Sequence, residues 1–203
     1  MPRSTIARIA LAGCLLLAVA LLGLVAWRIG APGQSGGVTA SGLPAIGGPF
    51  SLVDQNGARR TDADFHGQIM LVYFGYTHCP DVCPTELQTM SDAVDMLGEA
   101  GAKVTPIFIT VDPVRDTVAQ LKDYAANFHP RLIALTGSEQ EIAQAAKAYR
   151  VYYGRGKSGD GGGDYLMDHS GFVYAMDGNG RYLTHFAPDA TAEAMATTLR
   201  QHL

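Results

Sequence analysis

Residues 69–84 of the chain read IMLVYFGYTHCPDVCP. The first six of these residues are apolar, and several are β-branched or aromatic, which is typical of a strand covered on both faces of a sheet. Pro84 then begins a predicted helix that extends to about Ala100, because apolar residues recur on one of its faces. A buried strand followed directly by a helix indicates an α/β fold, and it places Cys79 and Cys83 at the junction of the two elements.

Strand-like and helix-like segments continue to alternate around this junction, as expected of an α/β domain. The further predicted strands are Phe50–Val53, Val104–Val111, Leu132–Leu135, Phe172–Met176 and Tyr182–Phe186, and the further predicted helices are Thr117–Phe128, Glu139–Tyr149 and Ala190–Leu203. Residues 177–180, Asp-Gly-Asn-Gly, predict the turn of a β-hairpin. We therefore assign residues 49–203 to one domain, with a glycine-rich loop at residues 154–164.

The composition excludes several classes of protein. Of the 203 residues, 47% are hydrophobic, which is too many for a disordered or collagen-like chain. The net charge is -4, and the only charged side chains before Asp54 are Arg3, Arg8 and Arg28, so the rest of the chain is more acidic than the whole. Binding to nucleic acid is excluded, because neutralisation of phosphates needs clustered Lys and Arg.

Residues 1–29 are interpreted as an N-terminal membrane anchor, a transmembrane helix. The stretch Ile9–Trp27 has no charged side chain, and a helix of this length comes close to spanning the roughly 30 Å hydrocarbon core of a bilayer. Arg3 and Arg8 precede it and only Arg28 follows it, which predicts a cytoplasmic N-terminus and an exported C-terminal domain. Because there is no Arg-rich transit segment, we expect a bacterial plasma membrane, with the domain in the periplasm.

Two other interpretations of this N-terminal segment remain open. A cleaved signal peptide would have a shorter apolar region, of roughly 7 to 15 residues. Residues 11–14, Leu-Ala-Gly-Cys, are spelled like a lipid-attachment box, but the apolar run continues beyond Cys14. Residues 30–48, rich in Gly, Ser and Pro and without charge, are predicted to be a flexible linker.

Cys79 and Cys83 are the candidate reactive groups. At a helix N-terminus the unpaired N–H groups and the helix dipole favour the thiolate, which attacks disulfides and binds metals. The three intervening residues place the two sulfurs about one helical turn apart, which permits either a disulfide or a shared metal ion. Two thiols and one histidine are too few for a structural zinc site, whereas soft thiolates with an imidazole as third donor favour copper, especially Cu(I).

His169 is the predicted third donor. It follows the glycine-rich loop, and ligands of α/β proteins bind beyond the carboxyl ends of the strands, where Cys79 is expected. A loop that reaches this edge of the sheet could bring His169 to the metal. A purely structural role for the imidazole is the alternative.

Three stretches of the chain together resemble the SCO/SenC family of copper proteins: YFGYTHCPDVCP at 73–84, VDPVRDT at 111–117 and YLMDHS at 165–170. The resemblance implies a thioredoxin-like fold, with a central mixed β-sheet flanked by helices. It implies a site for one copper ion, Cu(I) or Cu(II), formed by Cys79, Cys83 and His169. It also implies delivery of copper to the CuA centre in subunit II of cytochrome c oxidase, or maintenance of that centre's cysteines in the reduced state.

Five further residues near these motifs are weaker candidates. Asp81 could contact a partner, and Asp112, Arg115 and Asp116 could contact a partner or tune the thiols electrostatically. Asp112 could equally be the N-cap of the following helix, with Asp116 compensating the dipole. His78 is adjacent to Cys79, but the family does not use this position as a ligand.

We interpret the chain as a metallochaperone, with a thiol–disulfide oxidoreductase that acts on exported cysteine proteins as the alternative. In an oxidising compartment Cys79 and Cys83 would form a redox-active disulfide, so the chain would need an upstream thiol reductant as well as a copper donor. A peroxidase is a third hypothesis, but Pro80 stands where a peroxiredoxin loop has threonine. A purely structural disulfide is the fourth, although so short a loop stabilises little.

Overall fold

The structure is a computed structural model that describes residues 46–156 and 165–203. The predicted anchor, Cys14 and nearly all of the predicted linker lie outside these residues, as does most of the glycine-rich loop. Within the two described ranges, no helix is both long enough and apolar enough to cross a membrane.

Nine strands and four α-helices make up the described part of the chain. The strands are β1 Ser51–Asp54, β2 Arg59–Thr61, β3 Ile69–Gly75, β4 Val104–Thr110, β5 Ile133–Thr136, β6 Tyr153–Arg155, β7 Met167–His169, β8 Val173–Met176 and β9 Tyr182–Phe186. The helices are α1 Val82–Asp95, α2 Val118–Ala125, α3 Glu139–Tyr149 and α4 Ala192–Arg200, and short 3-10 helices cover Asp62–Phe65 and Gly98–Lys103.

Seven strands form one mixed sheet, in the order β2-β1-β5-β4-β3-β8-β9. Strands β3, β4 and β5 are parallel, whereas β1, β8 and β9 pair antiparallel with their neighbours. All seven residues of β3 are buried, and Tyr73 pairs with Phe108 on β4 and with Val173 on β8. The predicted central strand and the thioredoxin-like α/β fold are confirmed.

The helices cover this sheet with their apolar faces. Helix α1 packs on α4, β3 and β4, while α2 packs beside β5 and α3 against β1. Helix α3 has the bounds predicted from the sequence. It begins after a capping box of Ser138 and Glu141, and it ends where Arg150 adopts a left-handed conformation with φ of 58°.

Several predicted elements are wrong in part. Helix α2 ends at Ala125 instead of Phe128, and α4 covers Ala192–Arg200 instead of Ala190–Leu203. Helix α1 ends at Asp95 instead of about Ala100, because Gly98 adopts φ of 59°, a left-handed conformation that an α-helix cannot continue. The predicted loop at 154–164 begins inside β6, which pairs with β7 as a separate two-stranded sheet. Strands of three residues are too short to show an alternating pattern, so neither β2 nor this hairpin was predicted.

Candidate metal and thiol site

Cys79 and Cys83 lie where β3 ends and α1 begins, as predicted. After Gly75 the chain makes a turn in which the Cys79 N–H donates to the Tyr76 carbonyl at 3.3 Å. The Cys83 N–H then donates to Cys79 Sγ at 3.4 Å. Both residues are free thiols, with Cys79 8% exposed and Cys83 fully buried. Cys79 is therefore the more accessible sulfur.

Asp116 fixes the turn that precedes Cys79. Its buried carboxylate accepts hydrogen bonds from the Thr77 N–H at 3.0 Å, from the Thr77 hydroxyl at 2.7 Å and from the Thr110 hydroxyl at 2.6 Å. The three bonds tie the end of β3 to the end of β4. The sequence suggests for Asp116 a partner contact, electrostatic tuning of the thiols or a charge near a helix N-terminus, but not this bond with Thr77, which spans 39 positions.

Gly75 allows Cys83 to approach the sheet closely. A Cβ atom at this position would lie 2.9 Å from Cys83 Sγ and 2.9 Å from the Phe108 ring. Contacts this short do not occur between real side chains, so a larger residue would displace the thiol or the strand.

His169 reaches the thiols from the β6–β7 hairpin. Its Nε2 lies 3.4 Å from Cys83 Sγ, and its Nδ1 lies 3.1 Å from the Ser170 carbonyl oxygen. Because a carbonyl oxygen can only accept, the proton belongs on Nδ1, which leaves the Nε2 lone pair facing the sulfur. The Tyr73 and Tyr76 rings pack edge-on against the imidazole, with centroids 6.0 Å and 5.9 Å away.

The two thiols differ in their acidity. A hydrogen bond from Cys83 lowers the pKa of Cys79, and although burial opposes this, backbone N–H groups lower it further. The hydrogen bond to Cys79 and burial together raise the pKa of Cys83. Cys79 is thus the thiolate of the pair, and Cys83 holds the proton.

The donor set fits a soft metal ion. Two ligands on one tetrahedral zinc ion, at about 2.3 Å for sulfur and 2.0 Å for nitrogen, lie roughly 3.5 Å apart. The observed separation of Cys83 Sγ from His169 Nε2 is 3.4 Å. In residues 46–156 and 165–203, no three such donors are already arranged as a metal site, so an ion would replace the hydrogen bonds that now join the three side chains.

A cavity of about 610 Å³ opens beside His169. Its walls include Tyr73, Asp81, Val82, Thr85, Glu86, Met167, Asp168 and Pro188. Glu86 is 5% exposed, its Oε1 has no hydrogen-bond partner among the described residues, and burial raises its pKa to about 7. Sequence reasoning missed Glu86, which carried no signal beyond its place near the start of α1.

The structure places the weaker candidate residues in different surroundings. Asp81 is exposed at the cavity, where a partner could reach it. Asp112 is 3% exposed and accepts from Arg115 Nε and from the Tyr165 hydroxyl. Its interpretation as a helix N-cap is wrong, because Thr117 caps α2. The His78 imidazole lies 3.5 Å from Asp116, on an exposed side chain.

Comparison with known proteins gives one consistent result. The model of the SCO1/SenC family matches residues 38–203. An SCO2-like protein of Rickettsia conorii is 44% identical over 155 residues, which is 76% of each chain. The structure of Bradyrhizobium japonicum ScoI with copper bound has 46% identity and a TM-score of 0.72, over 78% of this chain and 100% of that one.

A more distant structure shares the same fold. BsSco, a member of the Sco family of cytochrome c oxidase assembly proteins in which a disulfide switch has been identified, is 25% identical. Its TM-score is 0.62, over 78% of this chain and 93% of that one.

Proposed function

The chain belongs to the SCO1/SenC family, and on this basis we propose that it is a copper-binding metallochaperone of cytochrome c oxidase assembly. Cys79, Cys83 and His169 hold one copper ion, as Cu(I) or Cu(II). The chain delivers this copper to the CuA centre in subunit II, or keeps the cysteines of that centre reduced. The observation that carries the proposal is the 3.4 Å contact between Cys83 Sγ and His169 Nε2.

The small number of protein donors favours transfer of the copper ion to a client. Two sulfurs and one imidazole suit a soft ion of low coordination number, which leaves room for an incoming ligand from the client. Cys79 already favours the thiolate, so only the proton of Cys83 has to leave when copper binds. The cavity beside His169 gives a client donor access to the ion, and ligands can then be exchanged one at a time.

The proposal includes a location. The apolar stretch Ile9–Trp27 anchors the chain in a bacterial plasma membrane, with the N-terminus in the cytoplasm and residues 49–203 in the periplasm. Similarity to a Rickettsia protein supports a bacterial origin. An anchored domain stays at the membrane surface where subunit II is assembled. The linker of residues 30–48 sets how far the domain extends from its anchor.

A thiol–disulfide oxidoreductase is the second candidate function. It is supported by the low pKa of Cys79 and by the similarity to BsSco and its disulfide switch. The Cys79 thiolate would attack a client disulfide, form a mixed disulfide and release one client thiolate. Cys83, once deprotonated, would then attack Cys79 Sγ and release the second client thiolate. Two electrons pass to the client, and an upstream thiol reductant must restore the dithiol.

The two functions are separated by a transfer assay. The full chain, purified in detergent, reduced and loaded with Cu(I), is mixed with the metal-free, reduced CuA domain of subunit II and a Cu(I) chelator. Copper in each protein is measured after separation. We expect copper in the client, and a loss of transfer in His169→Ala but not in the matched control His185→Ala, whose imidazole is exposed.

A parallel reaction uses the client in its disulfide form without copper. Thiol exchange does not need a distant imidazole, so the wild type and His169→Ala should reduce the client at the same rate. If the client gains thiols here but never gains copper in the first reaction, the chaperone proposal is wrong and the oxidoreductase replaces it.

A further inference from the structure

His169 is carried by a hairpin that pairs with no strand of the main sheet in the described part of the chain. Strands β6 and β7 form their own two-stranded sheet. The bonds from the Ser170 N–H to the Tyr152 carbonyl, 2.9 Å, and from the Gly156 N–H to the Leu166 carbonyl, 2.8 Å, also stay within the hairpin. A two-stranded hairpin is marginally stable alone, so the position of His169 depends on side-chain contacts with the rest of the domain.

Tyr165, which precedes β7, joins this hairpin to the loop after β4. Its hydroxyl donates to Asp112 Oδ1 at 2.8 Å. Two guanidinium groups lie over its ring, that of Arg115 at 3.7 Å from the centroid and that of Arg155 at 4.3 Å. Asp112 is buried, and Arg115 Nε donates to its other oxygen. A charge-assisted hydrogen bond and cation–π contacts therefore act on one side chain of the hairpin.

Arg115 also contacts Tyr76, one of the two rings that pack against the His169 imidazole. Its guanidinium carbon lies 5.8 Å from the centroid of Tyr76, whose ring packs edge-on against the His169 imidazole. Nη2 of Arg115 is buried and has no hydrogen-bond partner in the described residues. Asp112 and the rings of Tyr76 and Tyr165 thus hold the guanidinium in place. Contacts run from Asp112 through Arg115 to Tyr165 on the hairpin and to Tyr76 beside His169.

We propose that Asp112, Arg115 and Tyr165 form a clamp that holds the β6–β7 hairpin with His169 facing the two thiols. They are positioning residues, because they act on the copper site through the hairpin and Tyr76. The inference rests on the proposed function, since it concerns how the third copper donor is held. The clamp gives Asp112 and Arg115 a positioning role, which differs from the partner contact or electrostatic tuning of the thiols expected from the sequence. It also assigns a role to Tyr165, which was not a candidate in the sequence analysis.

The test is a double-mutant cycle on the full chain in detergent, read as Cu(I) affinity against a competing chelator. Tyr165→Leu removes the ring and the hydroxyl together, and we expect roughly tenfold weaker binding, as for other residues that orient a metal ligand. Tyr165→Phe keeps the ring under the guanidinium groups and should recover most of that loss. In a His169→Ala background, Tyr165→Leu should change the affinity less than about twofold, because the group that it positions is gone.

The control is Tyr152→Leu on the same hairpin. Its ring is exposed, and the substitution keeps the backbone bond to Ser170, so the affinity should stay at the wild-type value. Hydrogen exchange of the metal-free chain gives a second readout. The Ser170 amide should exchange at least several-fold faster in Tyr165→Leu, while the amides of β3 keep their wild-type rates, because only the hairpin is loosened.

Two results would overturn the clamp. Either Tyr165→Leu weakens copper binding by the same factor with and without His169, or it leaves both the affinity and the exchange of the Ser170 amide unchanged. Failure of the proposed function looks different, since His169→Ala alone would then bind copper as tightly as the wild type. The exchange measurement would still decide whether Tyr165 holds the hairpin.

Discussion

Nε2 of His169 and Sγ of Cys83 lie 3.4 Å apart, although 86 positions separate the two residues in sequence. Cys83 is held by the first turn of α1, and His169 is held by a hairpin outside the main sheet. The two donors therefore lie on different elements of the fold. A change at one element should alter the site without unfolding the other, which makes the site accessible to single substitutions.

The two thiols should differ in reactivity. Because a hydrogen bond from Cys83 lowers the pKa of Cys79, Cys79 is largely thiolate at pH 6, and it is also the more exposed. We expect iodoacetamide to alkylate Cys79 at least roughly tenfold faster than Cys83 at this pH. Mass spectrometry of tryptic peptides from the reduced chain measures each rate.

Cys83→Ala tests whether the hydrogen bond from Cys83 causes the low pKa of Cys79. It removes the hydrogen-bond donor, so the pKa of Cys79 should rise and its alkylation at pH 6 should slow, while the rate at pH 10 changes little. Faster alkylation of Cys83, or no effect of Cys83→Ala, would show that the assignment of the thiolate is wrong.

Asp116 should stabilise the loop that carries Cys79. Asp116→Ala leaves the Thr77 N–H and the hydroxyls of Thr77 and Thr110 without their common acceptor. Buried donors without a partner cost about 1–3 kcal/mol each, and the hydroxyls can turn elsewhere, so we expect a loss of roughly 2–4 kcal/mol. Urea unfolding of the domain lacking residues 1–40 measures it. Asp123→Ala, an exposed carboxylate on α2, should change stability by less than about 0.5 kcal/mol; equal effects would contradict the assignment.

Glu86 should make stability depend on pH. Burial raises its pKa from 4.5 to about 7, so the folded domain binds this proton more tightly than the unfolded chain does. The contribution of this proton to the stability of the folded domain is fully present below about pH 4.5, and it is lost as the pH rises through about 7. Glu86→Gln stays neutral, so it should become more stable than the wild type between pH 5 and pH 8, by at most about 3 kcal/mol.

Urea unfolding of both proteins at the two pH values measures this difference. Glu99→Gln, at an exposed position, serves as control and should show no such trend. A difference between wild type and Glu86→Gln that does not grow with pH would mean that Glu86 is ionised in the folded domain.

The sequence was most informative where a pattern is local and long. The buried run at residues 69–74 identified the central strand, and the position of Cys79 and Cys83 at the start of a helix followed directly from it. Helix α3 was correct at both ends, where the capping box of Ser138 and Glu141 begins it and the left-handed Arg150 ends it. The end of α1 was missed, since the φ of Gly98 is not visible in a pattern that continues to be apolar at Leu97.

Long-range contacts explain what the sequence could not show. The Tyr165 hydroxyl meets Asp112 across 53 positions, and Thr77 meets Asp116 across 39. Such pairs become neighbours only when β3, β4 and the hairpin are in place, and no periodicity encodes them. The third donor, His169, was predicted from its place after the glycine-rich loop and from a resemblance of motifs, whereas its contact with Cys83 needed the fold.

The central claim is that Cys79, Cys83 and His169 form one copper site. It is tested most directly by an anaerobic copper titration of the reduced domain lacking residues 1–40, against a competing chelator, beside Cys79→Ser, Cys83→Ser, His169→Ala and the control His185→Ala. We predict one tightly bound copper per domain, weaker binding in each of the first three variants and wild-type binding in the control. Equal binding without His169, or no binding by a dithiol that still reduces protein disulfides, would contradict the claim.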